Sequence, residues 1–447
     1  MPSLNYSLSY IQEHIPFGIL PNDVVETAKQ CMLNTSAAGL AGASQQASIS
    51  ISNFIQNMGS IGKCTLIGMG VRTSPIYAAF GNSFIINILD YNEEISKSHD
   101  SVSAVIFPIV MSLGEMHGYT GQEVLRAYIL GIEYCLQLLD KTEETQSQDF
   151  MKCAALGGIL AASILLDFDD NQFETSLYIT SNSIVTKSEF STTQERSYLY
   201  GQCSMNVMTT ALSIQNGFTI SDLKNDSFTM FLRSLGLGPQ DHQNIIQSLS
   251  TVPLLHSDGL ALKLYPCPSA SHECIEAILL LLQQYNINHF EIASVQIKVP
   301  HRTIRECNLN PPLSESQSKT SLPFIVASTI IYGQPLIEQF TKPFFELELL
   351  HDFMKKITIT ENTSLTPSNF RTSKVVITFN NGEEISDIVD FARGTAVLPL
   401  DQTELEAKFL YCSRYILPPD HIEGAISQIT NLQNIADITG LVSILGG

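Results

Sequence analysis

Small and apolar residues recur at helical spacing through most of residues 1–260. Residues 22–43 open with Asn22 and Asp23, residue types that often cap helices, and then carry apolar residues every three or four positions. The same spacing predicts helices over 103–118, 121–139, 157–169 and 197–218. Because these segments are rich in Ala, Gly, Ser and Met, we expect a densely packed all-α domain.

The pattern changes after about residue 270. A helical segment over 271–285 leads to alternating apolar and polar residues at 293–300, which predict a strand. Residues 373–391 hold two alternating segments around Asn381 and Gly382, a pair typical of a hairpin turn. The remaining segments predict a helix over 321–333, a strand near 354–361 and a helical tail over 400–445.

The chain is long enough for more than one domain. At 447 residues it exceeds the size at which a single core usually stops growing, so two domains are expected. The order of helical, mixed and helical segments predicts a mainly α protein with an inserted α+β domain. We place the helical domain at residues 1–268 and 396–447 and the α+β domain at residues 269–395.

Composition narrows the class of protein. Hydrophobic residues make up 44% and charged residues only 15%, as in a large folded protein. No apolar stretch reaches the roughly 18 residues that a membrane helix needs, and a net charge of −20 disfavours nucleic acid and anionic membranes as partners. Nine cysteines without a C-x-x-C pair, and an N-terminus unlike a secretory signal, favour a reduced cytoplasmic protein.

Ionisable residues are concentrated in LDYNEEISKSHDS, residues 89–101, directly after an apolar run. This segment holds Asp90, Glu93, Glu94, Lys97, His99 and Asp100. In a chain with so few charges, two interpretations are open. The segment is either an ordinary solvated loop or one wall of an active site.

Five segments follow one another in an order that is found in one protein family. They are LDYNEE with SHDS (89–101), GGILAASILLDF (157–168), KLYPC (263–267), SLPFIVA (321–327), and NNGEEISDIVDFARG with ELEAKF (380–409). Each is weakly specific alone, but their order and spacing extend over nearly the whole chain. On these segments the chain resembles the MmgE/PrpD family.

The resemblance implies a fold and a chemistry. The fold is a helical domain built from both chain ends, an α+β lid domain and a homodimer. The chemistry is that of a lyase on a small or alkyl-substituted carboxylic acid: a proton is transferred next to a carboxylate, and hydroxide or carbon dioxide leaves. Such a step needs a positioned acid or base and groups that stabilise developing charge. The family implies no metal and no organic cofactor.

Three residues are expected to be catalytic by this resemblance. Asp90 matches the family's first aspartate and would orient or activate a neighbouring donor, whereas the residue alone would be interpreted as a helix-end aspartate. His99 falls near the family's loop histidine, in a loop that is one residue shorter here. Lys263 matches a lysine that would hold a substrate carboxylate, its alternative being an ordinary surface lysine.

Arg196 and Tyr198 lie together in ERSYLYG and are expected to contact the substrate. Arg196 stands where the family has a lysine, five positions before Gly201. Arginine can grip a carboxylate through two parallel hydrogen bonds, but it stays charged and is a poor proton shuttle. We therefore expect Arg196 to clamp the substrate rather than to act as a base.

The other expected substrate-binding positions depart from the family pattern. Glu94 replaces a threonine or serine, and Gln148 replaces a histidine. Pro268 also replaces a histidine, and Phe324 replaces a tyrosine that some members have. His272, four residues beyond Pro268, is the nearest histidine that could restore one of these groups. Since Glu94 adds a negative charge, it argues against a tricarboxylate substrate.

These departures leave three functions open. The first is a dehydratase or decarboxylase of the usual family type. The second is a repurposed biosynthetic isomerase, epimerase or cyclase on a substrate with fewer carboxylates, which the apolar Pro268 and Phe324 favour. The third is a catalytically silent relative. Cys267 is interpreted as a buried packing residue rather than a nucleophile.

Overall fold

A computed structural model describes most of the chain. The described residues are 8–95, 100–141, 147–184, 193–220, 226–250, 254–255, 260–307, 309–364 and 371–447. Internal contacts divide the chain into two compact units, Met1–Leu262 with Asp401–Gly447, and Lys263–Leu400. The domain bounds drawn from the sequence remain a prediction.

The elements are numbered in chain order. The first unit contains α1 (Leu8–His14), α2 (Asn22–Ala43), α3 (Gln46–Asn57), β1 (Cys64–Leu66), β2 (Val71–Thr73), α4 (Pro75–Asn87), β3 (Glu93–Ile95), α5 (Ser103–His117), α6 (Gly121–Asp140), α7 (Ser147–Leu165), α8 (Asp170–Ser183), α9 (Thr193–Gln215), α10 (Asp226–Ser234), α11 (Pro239–Ser248) and β4 (Leu260–Leu262). The second unit contains α12 (His272–Gln284), β5 (Ile292–Val299), α13 (His301–Glu306), α14 (Glu315–Lys319), α15 (Leu322–Tyr332), α16 (Lys342–Phe345), α17 (Glu348–Met354), β6 (Ile357–Glu361), β7 (Ser373–Phe379) and β8 (Glu384–Val389). The chain then returns to the first unit with α18 (Gln402–Ser413), α19 (Pro419–Thr430) and α20 (Thr439–Gly446). The chain is thus mainly helical with a sheet in its C-terminal half, as the sequence predicts.

Within the described ranges, no helix is both long and apolar enough to cross a membrane.

Helices α5, α6 and α7 pack closely inside the first unit. Every residue from Ser103 to Glu115 in α5 is buried, which explains why the pattern of this segment is apolar on all sides. Helices α6 and α7 approach so closely that a Cβ on Gly157 would lie 2.4 Å from the carbonyl oxygen of Gly131. Glycine at position 157 is therefore required by the packing.

Two short antiparallel ribbons correct the expectation that residues 1–260 are all α. Strand β1 pairs with β2, and β3 pairs with β4 so that Glu94 lies opposite Ala261. The β3 residues are all buried, so this short strand shows no alternation of apolar and polar positions. As a consequence, part of the charged segment 89–101 forms a buried strand.

The second unit is built on a four-stranded sheet with the order β6-β5-β7-β8. Strand β5 runs parallel to β6 and antiparallel to β7, and β7 and β8 form the predicted hairpin. Its turn contains Gly382 at φ +88°, a conformation that favours glycine. Helix α12 packs against β7 and β8 and covers this part of the sheet.

Candidate active site

The predicted site residues occur in both units. The first unit holds Asp90, Glu94, Arg196 and Tyr198, and the second holds Lys263, Pro268, His272 and Phe324. His99 lies outside the described residues, and so does the side chain of Gln148, whose backbone is part of α7. The two groups are described separately below.

An ion pair joins Asp90 to Arg196 in the first unit. Arg196 Nη2 lies 2.7 Å from Asp90 Oδ1, and the two side chains are only 20% and 13% exposed. Burial acts to lower the pKa of Arg196, but the negative charges around it, Asp90 first among them, outweigh burial and raise the pKa. Arg196 is therefore a permanent cation held against Asp90.

The backbone around Asp90 is unusual. Asp90 follows the end of α4 and has φ +53°, in the left-handed region that few residues other than glycine adopt. Its N–H donates to the carbonyl of Asn87 at 3.0 Å, and the Asn87 amide donates to Ser197 Oγ at 3.1 Å. Because Ser197 lies next to Arg196 on α9, these bonds fix both partners of the ion pair. Strained conformations of this kind cluster at functional sites.

Asp100 is a second carboxyl in the same region. It is 6% exposed, and the Tyr200 hydroxyl on α9 donates to its Oδ1 at 2.7 Å. Burial raises the pKa of Asp100 from 3.8 to about 7, although the Tyr200 hydrogen bond and the charge of Arg196 act in the opposite direction. Asp100 Oδ2 is buried and has no hydrogen-bond partner among the described residues. Asp100 is therefore poised to exchange a proton near neutral pH.

Glu94 adds a third carboxyl to this region. Its side chain on β3 is only 2% exposed, and its charge raises the pKa of Asp100, as does that of Asp90. We call Asp90, Glu94, Asp100 and Arg196 the acidic group. Within it, the charges of Asp90 and Asp100 act on Arg196, and the charge of Glu94 acts on Asp100.

Glu93, the neighbour of Glu94, has a structural role. Its Oε1 accepts hydrogen bonds from Ser101 Oγ and from the N–H of Ser103, both at 2.7 Å, and Oε2 accepts from Thr35 Oγ1 at 3.3 Å. A carboxylate at the first turn of α5 also suits the positive end of the helix. Glu93 therefore anchors the charged segment to α5 and α2.

Lys408 on α18 holds the segment from another side. Its Nζ donates to the carbonyl of Tyr91 at 2.6 Å and to Asn34 Oδ1 at 2.7 Å, and it lies 3.7 Å from the centre of the Tyr91 ring. Lys408 is 5% exposed. This buried cation fixes the residue that directly follows Asp90.

In the second unit, Lys263 is buried rather than on the surface, with 3% of its area exposed. His272 Nε2 lies 3.3 Å from the carbonyl of Cys267, and the His272 ring stands edge-on to Tyr265 at 5.0 Å. The Tyr265 hydroxyl donates to Glu276 Oε1 at 2.6 Å. Cys267 is fully buried, as expected for a packing residue.

The three remaining predicted positions differ in burial. Phe324 on α15 is fully buried, with its ring centre 6.1 Å from that of Phe340. Pro268 is partly buried and precedes the turn that leads into α12. In the first unit, Tyr198 is 45% exposed and its ring meets Phe80 edge-on at 5.6 Å. Their roles in substrate binding remain predictions.

Family models match both parts of the chain. The MmgE/PrpD N-terminal domain matches residues 8–226, and the MmgE/PrpD C-terminal domain matches residues 265–433. The chain belongs to the MmgE/PrpD family. The resemblance drawn from five short segments is thereby confirmed.

Relatives of this MmgE/PrpD protein include cis-aconitate decarboxylases. The human enzyme is 22% identical over all of this chain and 95% of its own length. A cis-aconitate decarboxylase-like protein of Aspergillus oryzae is 21% identical, over 96% of this chain and 94% of its own. The Aspergillus terreus enzyme is 22% identical, over 95% and 92%. The predicted class of function, a lyase on a small carboxylic acid, is the class of these relatives.

Sequence reasoning did not single out some partners in the site. Asp100 was recognised as part of the charged segment, but Tyr200, which donates to it, lies 100 positions away. Lys408 stands in the quoted ELEAKF segment, yet its contact with Tyr91 spans 317 positions. Helix α18 also carries Glu404 and Glu406, so nothing in its sequence distinguishes Lys408 from an exposed lysine.

Proposed function

We propose that this protein is a lyase that acts on a small carboxylic acid, with decarboxylation as the reaction best supported. Its full-length similarity to cis-aconitate decarboxylases is the observation that carries the proposal. Loss of carbon dioxide breaks a carbon–carbon bond and leaves an electron pair on carbon, which then takes up a proton. The site must therefore hold a carboxylate and supply a proton.

Roles can be assigned to the residues of the first unit. Arg196 binds the substrate carboxylate, since its Nε has no hydrogen-bond partner among the described residues while Nη2 is held by Asp90. Asp90 orients Arg196 and the substrate. Lys263 remains a candidate carboxylate-binding residue of the second unit from the family pattern alone. His99 is proposed as a proton carrier from the family pattern alone.

Purified protein incubated with cis-aconitate, citrate and 2-methylcitrate tests this proposal. We expect at least one acid to be consumed slowly. The reaction is monitored by ultraviolet absorbance near the band of unsaturated acids. An Asp90→Asn variant should lose the activity, whereas Asp352→Asn, an exposed substitution in the second unit, should keep it. Activity that survives Asp90→Asn would remove Asp90 from the site.

The acidic group favours a second candidate function. Glu94 is buried and stands where the family pattern has a neutral hydroxyl, so the scaffold suits a substrate with fewer carboxylates than cis-aconitate. A biosynthetic isomerase, epimerase or cyclase would meet this condition. Proton exchange into an unsaturated acid in deuterated water, without loss of carbon dioxide, would favour this candidate. Binding without exchange or turnover would favour a catalytically silent relative.

The assembly and location of the protein are part of the proposal. The family suggests that the second unit serves as a lid domain and that the chain forms a homodimer. The composition suggests a cytoplasmic enzyme. Light scattering coupled to size-exclusion chromatography tests the dimer, since a mass equal to that of one chain would contradict it.

A further inference from the structure

Asp100 carries an acidic proton that no group in the described structure accepts. The Tyr200 hydroxyl donates to Oδ1 at 2.7 Å, so the proton of the neutral carboxyl belongs on the other oxygen, Oδ2. Oδ2 is buried and has no hydrogen-bond partner among the described residues, and Asp100 as a whole is 6% exposed. An unsatisfied buried polar atom calls for an explanation, and a catalytic role is one of them.

Arg196 has a second buried atom without a hydrogen-bond partner among the described residues. This atom is Nε, whereas Nη2 is held by Asp90 at 2.7 Å. Arg196 and Tyr200 are four positions apart on α9, so they lie on the same side of the helix. The charges of Arg196 and Asp100 shift each other's pKa, which means that the two groups are close. A substrate carboxylate bound at Nε would therefore lie near the Asp100 proton.

We propose that Asp100 is the catalytic acid of this site, which hands its Oδ2 proton to the substrate carbon, and that Tyr200 positions it. The inference rests on the proposed function, because it takes Arg196 as the group that binds the substrate carboxylate. It goes further by naming the proton donor, for which the family pattern alone offers His99. An efficient acid has a pKa near the working pH, and burial raises that of Asp100 to about 7.

The proton transfer can be written for decarboxylation. The bond between the substrate carbon and its carboxylate breaks, carbon dioxide leaves, and the electron pair of that bond stays on the carbon. This carbon takes the proton from Asp100 Oδ2, and the O–H electron pair remains on Asp100 as a carboxylate charge. The Tyr200 hydrogen bond and the charge of Arg196 both favour this ionised form. A proton from water then restores the acid.

The expected pH dependence follows from the groups around Asp100. Ionisable groups from four segments interact with it: Asp90 after α4, Glu94 on β3, Arg196 and Tyr200 on α9, and Cys135 on α6. Under their combined influence and that of burial, Asp100 keeps its proton below about pH 7 and loses it above. The kcat/KM of the wild type should therefore fall roughly tenfold per pH unit above that value, because the free enzyme then lacks its acid.

Steady-state kinetics of the full chain with cis-aconitate, measured as carbon dioxide release from pH 6.5 to pH 9, tests the inference. Asp100→Asn keeps an oxygen for the Tyr200 hydroxyl but has no acidic proton. Its kcat should fall about a hundredfold or more while KM changes less than about threefold, and the inflection near pH 7 should disappear. Tyr200→Phe keeps the ring that packs on Phe150 but removes the hydrogen bond. Its kcat should fall about tenfold, and its inflection should move to higher pH because that bond lowers the pKa of Asp100.

Two exposed residues of the first unit provide matched controls. Asp420→Asn at the start of α19 and Tyr415→Phe make the same chemical changes away from the site, and both should keep the wild-type rate and pH profile. An inflection near pH 7 that persists in Asp100→Asn, or a kcat equal to that of the wild type, would assign the proton to another group. Either result would overturn the inference while leaving the lyase intact. A Tyr200→Phe variant with an unshifted inflection would remove Tyr200 from its positioning role.

The same incubations in deuterated water separate this inference from the proposed function. If the wild type takes deuterium into cis-aconitate without releasing carbon dioxide, and Asp100→Asn does not, Asp100 is the proton donor and decarboxylation is wrong. If the wild type neither releases carbon dioxide nor exchanges deuterium, the inference and the proposed function both fail.

Discussion

Replacing Asp100 with asparagine should make the stability of the protein respond differently to pH. Asparagine keeps an oxygen that can accept the Tyr200 hydroxyl, but it cannot ionise. In the wild type, burial raises the pKa of Asp100 from 3.8 to about 7, so folding favours the protonated form. The stability that this carboxyl contributes is complete below pH 3.8 and is lost as the pH rises through about 7.

The magnitude follows from the two pKa values. The difference between 3.8 and about 7 corresponds to a loss of about 4 kcal/mol between acidic and alkaline conditions. Between pH 5 and pH 9 the loss amounts to about 3 kcal/mol, because the unfolded chain is already largely ionised at pH 5. Asp100→Asn escapes this loss, so its stability relative to wild type should rise by about 3 kcal/mol over that range.

Urea denaturation at pH 5, 7 and 9, followed by circular dichroism, measures this difference. The exposed Asp352→Asn variant serves as the control, because its carboxyl is on the surface and its effect should not change with pH by more than a few tenths of a kcal/mol. A free-energy difference between wild type and Asp100→Asn that is constant from pH 5 to pH 9 would refute the reasoning. Asp100 would then be charged throughout, and the acidic group would be more negative than we infer.

Three further substitutions test other parts of the account. Lys408→Met should lower the free energy of unfolding, measured by urea denaturation, by about 3 kcal/mol, because the Tyr91 carbonyl and Asn34 Oδ1 lose the Nζ that donates to them. The exposed Lys355→Met variant is the control, and equal losses in the two variants would contradict the role of Lys408. Gly157→Ala should lower the thermal midpoint and the free energy of unfolding, the latter by about 3 kcal/mol, because the added Cβ would overlap the α6 backbone. An unchanged midpoint would mean that the two helices separate easily. Cys267→Ala should keep turnover within about twofold, since its thiol is only a packing group, and a hundredfold loss in the rate assay would show otherwise.

Long periodic segments were predictable because their burial follows helical or strand spacing. Helix α2 begins and ends where the sequence predicts, and the strand of residues 293–300 is buried at alternating positions as β5. Helix α7 is longer than predicted, since it begins ten residues before Gly157. Its first three residues, Ser147, Gln148 and Asp149, are polar, so the apolar spacing that predicts a helix is not visible there.

The ribbons and the acidic group were not predictable in the same way. Strand β3 consists of Glu93, Glu94 and Ile95, a sequence typical of a loop, and it becomes a strand only because β4 pairs with it from far along the chain. The residue types at Asp90 and Arg196 were identified correctly, but nothing local indicated that they would pair with each other. Such contacts depend on how α4 and α9 pack, and periodicity does not encode that.

Release of labelled carbon dioxide tests the central claim most directly. Carboxyl-labelled cis-aconitate and short unsaturated monocarboxylates would be incubated with wild type and with Asp90→Asn, and the gas would be measured by mass spectrometry. The account predicts release from at least one acid, and release at least a hundredfold slower with Asp90→Asn. Equal rates in the two proteins, or no loss of carbon dioxide from any of the acids, would contradict it.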